Sequence, residues 1–186
     1  MIVSKRSFLD HQLQMIEQLK FHVDEIANQS EALLNQKPGP EKWSALECFA
    51  HLNLTYDHYL PRIEKAFAGA KEDRRLQYKG GVFVPKMIKS LLPDDKGMIS
   101  KNMKTFKSTI PPKGVNHGEI DMYSKRLRLI EQILHESEFK NIQSPRVTSL
   151  VGPILRFRLG DAIAFILAHD VRHMVQAIRA LGLNNN

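Results

Sequence analysis

The sequence predicts an all-α protein, a four-helix bundle of the up-and-down type with a long crossover between the second and third helices. Apolar residues recur at spacings of three, four and seven, or their sums, over four stretches. No alternation of period two runs far enough to build a sheet, and no segment repeats. With 186 residues, 42% of them hydrophobic and 25% charged, the chain has the size and composition of one globular domain, 1–186.

The first helix is expected over residues 7–35, where Phe8, Ile16, Leu19, Val23, Ile26, Leu33 and Leu34 share a face and Ser7 is placed to cap. Lys37-Pro38-Gly39-Pro40 ends it, because proline lacks a donor and pushes the residue before it out of the α region. Ser44-Ala45-Leu46-Glu47 then reads as a capping box, opening a second helix that runs to about Gly69. Pro61 falls inside this helix and should kink or split it near Leu60. A third helix spans 120–137 through Met122, Leu127, Leu129, Ile130, Ile133 and Leu134. The fourth spans about 160–181, with Gly182 where a C-terminal glycine cap belongs.

Between the second and third helices lies a proline- and glycine-rich crossover, about 70–116, with one short helical candidate at 84–92. It accounts for the basicity of the chain. The net charge is +7, yet residues 61–114 hold 13 Lys/Arg against 5 Asp/Glu, so the remainder is nearly neutral. The plain reading is a solvated connector kept soluble by lysines; the sharper one is an anion-binding lid near a site in the bundle. Nucleic acid is disfavoured as a partner, because neither a DNA-binding signature nor an aromatic ladder accompanies the lysines.

A single cysteine, Cys48, excludes an intramolecular disulfide framework and paired-cysteine zinc fingers, and suits a reducing compartment. With no signal-peptide pattern and no apolar run of about 20 residues, a cytoplasmic protein without a membrane span is expected.

The histidines carry the chemistry. His169 and His173 stand at i and i+4 on the fourth helix, so both can reach one ion. On the second helix His51 sits among Leu46, Phe49 and Leu54, where an unpaired imidazole costs desolvation energy that a metal or a hydrogen bond must offset. If those helices are neighbours, the three form a three-nitrogen site with an open coordination position, as in catalytic metal centres. Such a donor set accepts zinc or nickel, and also iron or copper. His11, His22, His58, His117 and His135 read as surface residues, His58 least securely since it shares the face of His51. Cys48 is a conceivable fourth ligand but reads first as a small buried hydrophobe. Gln176 and Arg172 flank the pair and are candidates to orient a ligand or substrate. Trp43 reads as a staple at the helix entry rather than a platform for substrate. Glu47 is taken by the capping box, and Asp170 points about 100° away from His169.

Two segments resemble the signature regions of the DinB/YfiT-like superfamily of metalloenzymes. One is Lys42-Trp43-Ser44-Ala45-Leu46-Glu47-Cys48-Phe49-Ala50-His51-Leu52, which matches a W-S-x-x-E helix start followed by a histidine. The other, His169-Asp170-Val171-Arg172-His173-Met174-Val175-Gln176, matches H-x-x-R-H-x-x-Q in the last helix. The resemblance implies a helical bundle, a divalent metal on His51, His169 and His173, and a homodimer. It also implies one of the family's activities on a small-molecule substrate: thiol S-transfer using bacillithiol, mycothiol or glutathione, isomerisation, or hydrolysis. The crossover is longer than the family leads one to expect, so no loop function carries over. Thiol transfer ranks slightly ahead of hydrolysis, because activating a water calls for a base and no carboxylate presents itself. The competing reading is a non-catalytic binding module whose basic crossover docks an acidic partner.

Overall fold

The computed structural model describes residues 2–94, 97, 99 and 104–183. Part of the basic crossover, including Lys96 and Lys101, lies outside the described residues. In chain order the elements are β1 (Ile2–Ser4), α1 (Lys5–Ala27), α2 (Glu31–Asn35), α3 (Ala45–Ala68), β2 (Gln77–Lys79), α4 (Val84–Leu91), α5 (Gly118–Glu136), β3 (Arg146–Ser149), β4 (Gly152–Arg158) and α6 (Leu159–Ala180). Single 3₁₀ turns occupy Lys107–Thr109 and Ser137–Phe139.

The four long helices α1, α3, α5 and α6 form a bundle. α3 packs on α5 and α6, and α1 packs on the same two helices, so α1 and α3 take opposite corners. Between them lies the core, with Ile16, Leu19, Ile26, Leu46, Phe49, Leu52, Ile63, Tyr123, Ile130, Ile163, Ile166 and Leu167 all buried. Each such side chain removed from water contributes roughly 1.5–3 kcal/mol. The adjacency of α3 and α6 is the condition the histidine site required.

Helix starts follow the sequence closely only where a cap is strong. Ser44 accepts from the Glu47 amide and the Glu47 carboxylate accepts from the Ser44 amide, so the expected capping box opens α3. Ser7 is not a cap: the hydroxyl of Ser4 accepts from the Ser7 amide, and α1 begins at Lys5. The single helix expected over 7–35 is broken in two. The Asn28 side chain donates to the Asp24 carbonyl at the end of α1, and Ser30 caps the short α2. Local side-chain bonds of this kind compete with helix continuation.

α3 runs through Pro61 without interruption, against the expected split near Leu60. The helix continues although Pro61 offers no N–H to the Asp57 carbonyl one turn earlier; nearby, Arg62 donates to the His58 carbonyl and Arg126 to the Asn53 carbonyl. On α5 the inward face is Ile120, Tyr123, Leu127, Ile130, Ile133 and Leu134, whereas Met122 and Leu129, expected inside, are exposed.

Two small antiparallel ribbons correct the expectation of no sheet. β1 pairs with β2 and β3 with β4, the second ribbon shifting register between Thr148 and Ser149. β1, β2 and β3, of three or four residues, are too short to show a period, the seven-residue β4 buries only Phe157, and Gly152 with φ 115° supplies a turn that other residues rarely adopt. β2 belongs to the crossover and clasps the start of α6. The Tyr78 hydroxyl and the Gly81 amide both donate to the buried Asp161 carboxylate, at 2.7 and 2.8 Å. Gly160 lets Tyr78 approach, since a Cβ there would lie 2.8 Å from its hydroxyl oxygen. No helix among the described residues is long and apolar enough to cross a membrane.

Candidate metal centre

His51 lies in the second turn of α3, and His169 and His173 lie one turn apart on α6. Their packing brings the three rings together. Ring centroids are 5.1 Å apart for His51 and His169, 4.4 Å for His51 and His173, and 4.5 Å for His169 and His173. One nitrogen from each lies within 4.8 Å of the other two. His51 and His173 are buried, and His169 is buried in part.

Two rings have their orientation and tautomer fixed. His51 Nδ1–H donates to the Thr109 carbonyl at 2.6 Å, and His173 Nδ1–H donates to Gln176 Oε1 at 3.0 Å. A carbonyl can only accept, so each of these rings, when neutral, presents a bare Nε2 lone pair. His51 Nε2 stands 3.2 Å from His169 Nε2, while the buried His169 Nδ1 has no partner among the described residues. The nitrogens of this cluster are therefore not fully matched within the protein.

Burial keeps all three rings neutral. It is the largest cause in each case, pushing His169 down to about 3 and lowering His51 and His173, with mutual repulsion among the rings and the nearby Arg172 guanidinium adding to the effect on His169 and His173. Three neutral imidazoles with converging lone pairs are the donor set a divalent transition metal takes, so the residues present fit such an ion.

The surroundings sort the other candidates. Gln176 does hold His173. Arg172 is buried beside the pair. Cys48 is buried with its thiol pushed up by desolvation, and it is not a member of the cluster. Both Glu47 oxygens are engaged, one in the capping box and one by Lys37 at 2.7 Å. Asp170 turns into the bundle, where Tyr56 donates to it at 2.6 Å; burial pushes its carboxyl up to about 8, partly offset by the Tyr56 and Tyr123 hydroxyls. His58 is half-buried and contacts the Thr148 carbonyl. His117 contacts the Ala27 carbonyl, and His11 and His135 are exposed.

A model of the DinB superfamily matches residues 14–177. The chain belongs to the DinB superfamily. Its three histidines are the ones that both signature segments brought forward, and the bundle is the DinB fold. No curated protein and no solved structure matches the chain.

Sequence reasoning missed two members of the site. Trp43 is no mere staple: its ring lies 4.8 Å from that of His51 and 5.9 Å from that of His173, walling the cluster on one side. Its place eight residues before His51, just outside the cap, was the available signal. Thr109 gave none, because its contribution is a backbone carbonyl from a segment that reads as connector. Gln176→Ala is expected to weaken metal affinity by roughly 10- to 100-fold while leaving the fold intact, as read by competition with a chromogenic chelator.

Proposed function

We propose that this chain is a metal-dependent enzyme acting on a small molecule, with a divalent transition metal, zinc or nickel ahead of iron, held by His51, His169 and His173. The observation that carries the reading is the convergence of three neutral, buried imidazoles from two helices, two of them locked by Thr109 and Gln176. Such an ion, when bound, supplies Lewis acidity that lowers the pKa of a thiol or a water.

Thiol S-transfer is the better supported route. Hydrolysis needs a base to take a proton from water, and the two nearest carboxylates in sequence are engaged elsewhere, Glu47 by its cap and Lys37, Asp170 by Tyr56. A thiol makes no such demand. Trp43 offers an aromatic wall beside the histidines, and the Arg172 guanidinium supplies positive charge close to His169 and His173. The crossover enters the site through Thr109, which supports its being part of the centre rather than a free docking arm. The up-and-down order and the cytoplasmic setting belong to the same reading.

Glutathione or bacillithiol should raise the melting temperature of metal-loaded protein by about 2–4 °C, and His51→Ala should abolish the rise. No rise with any low-molecular-weight thiol would remove the S-transferase reading and leave the hydrolase one.

A further inference from the structure

One sizeable cavity lies away from the histidines. It is a cleft of about 790 Å³ between the C-terminal half of α3 and the segment that leads into β3. Arg62, Lys65, Ala66 and Gly69 line it from α3, and their spacing of three, four and seven places them on one helix face. Lys71 closes one end, while Arg146, with Asn141, Ser144 and Thr148, forms the opposite wall. Four cations thus face one cleft with no carboxylate in its lining.

None of these cations takes part in an ion pair among the described residues. Among the described residues Lys65 and Lys71 make no side-chain hydrogen bond. The two guanidiniums are steadied by backbone: Arg62 donates to the His58 carbonyl, and Arg146 donates to the Gln143 carbonyl at 3.0 Å. Each keeps further N–H groups to offer. Like charges gathered without counter-charge repel one another, and a concave surface focuses their field, so the arrangement gains most from a ligand carrying several negative charges. A cleft of this volume accepts a molecule of nucleotide size. Arg62 lies eleven residues beyond His51 on α3, about 16 Å along the helix axis, so the cleft is separate from the metal centre.

We propose that this cleft is a second ligand site, which binds a small molecule bearing two or more phosphate charges. Guanidinium forks take phosphate oxygens in pairs, the lysines act as point charges, and the Asn141, Ser144 and Thr148 side chains supply neutral hydrogen bonds.

The test is calorimetric titration of the full chain with inorganic pyrophosphate at low ionic strength. Saturable one-to-one binding is expected, weakened about tenfold or more in the Lys65→Ala/Lys71→Ala double variant, whose exposed positions leave the core untouched. His169→Ala should bind pyrophosphate as the parent does, which separates the cleft from any chelation at the histidines. The proposal is overturned if pyrophosphate does not bind, if the double variant binds equally well, or if His169→Ala abolishes binding. A parallel flotation assay with phosphatidylglycerol vesicles covers the other phosphate source: vesicle binding without pyrophosphate binding assigns the cations to lipid headgroups and overturns the small-ligand site.

Discussion

Protein prepared without an affinity tag is expected to carry about one equivalent of a divalent transition metal, and His169→Ala less than about a tenth of that. His169 is the decisive position because its ring has no other fixed role: its Nδ1 is unpartnered, and its Nε2 faces His51. His51 and His173 each keep one hydrogen bond that survives loss of the ion. The variant should therefore lose the metal while remaining folded, at a cost in chelated form of about 1–3 kcal/mol for the cavity and for the His51 Nε2 left unmatched, partly offset by removal of the unpartnered His169 Nδ1. Elemental analysis together with a urea titration reads both outcomes. Parent protein free of metal after reconstitution with zinc, nickel and iron in turn would sink the assignment.

The metal-free protein is expected to be most stable near pH 7, with stability falling on both sides for different reasons. His51, His169 and His173 are held below their ordinary value by burial. Below about pH 7 the unfolded chain takes up protons that the folded protein refuses, so stability falls with acidity. Asp170 works in the opposite sense: its carboxyl, raised to about 8, keeps its proton in the folded state at pH values where the unfolded chain has released it. That costs stability as pH rises from about 4 to 8. Between pH 4 and 6 the lowered histidines together outweigh the one aspartate, so stability rises with pH, each proton of difference between the two states being worth about 1.4 kcal/mol per unit. Above about pH 7 the unfolded histidines have released most of their protons and Asp170 dominates, so stability falls towards pH 8 by less than about 1.4 kcal/mol per unit. Urea midpoints measured across this range in the presence of a chelator should show the maximum, and Asp170→Asn should remove the alkaline decline. A steady rise from about pH 7 to 8 in the parent would contradict the placement of Asp170.

The parts of this fold that could be read without coordinates are those fixed by short-range rules. The Ser44–Glu47 capping box, the Gly182 cap and the pairing of His169 with His173 depend on residues within one or two turns. The addition of His51 needed one further premise, the adjacency of α3 and α6, which stands as a condition in the sequence and is met only by the packing. What stayed hidden depends on groups distant in sequence or on backbone. The Ser30 cap that divides the first helix competes with an equally good helical pattern. β1 meets β2 some seventy residues later, through strands with no room for a period. The Asp161 clasp on Tyr78 and Gly81, the Trp43 wall and the Thr109 carbonyl all arise from long-range docking. The charge count located the basicity along the chain, but not the cleft that sets Arg62 and Lys65 against Arg146.

The bond from Thr109 to His51 ties two equilibria into one. Docking of the Lys107–Thr109 turn orients the ring, and an ion held by the ring's other nitrogen would polarise the N–H that grips the carbonyl. By reciprocity, whatever free energy the docked turn contributes to metal affinity, the metal returns to the docked turn. Filling of the centre and docking of this turn would then favour each other, so that a metal on the histidines would be felt in the crossover without touching it.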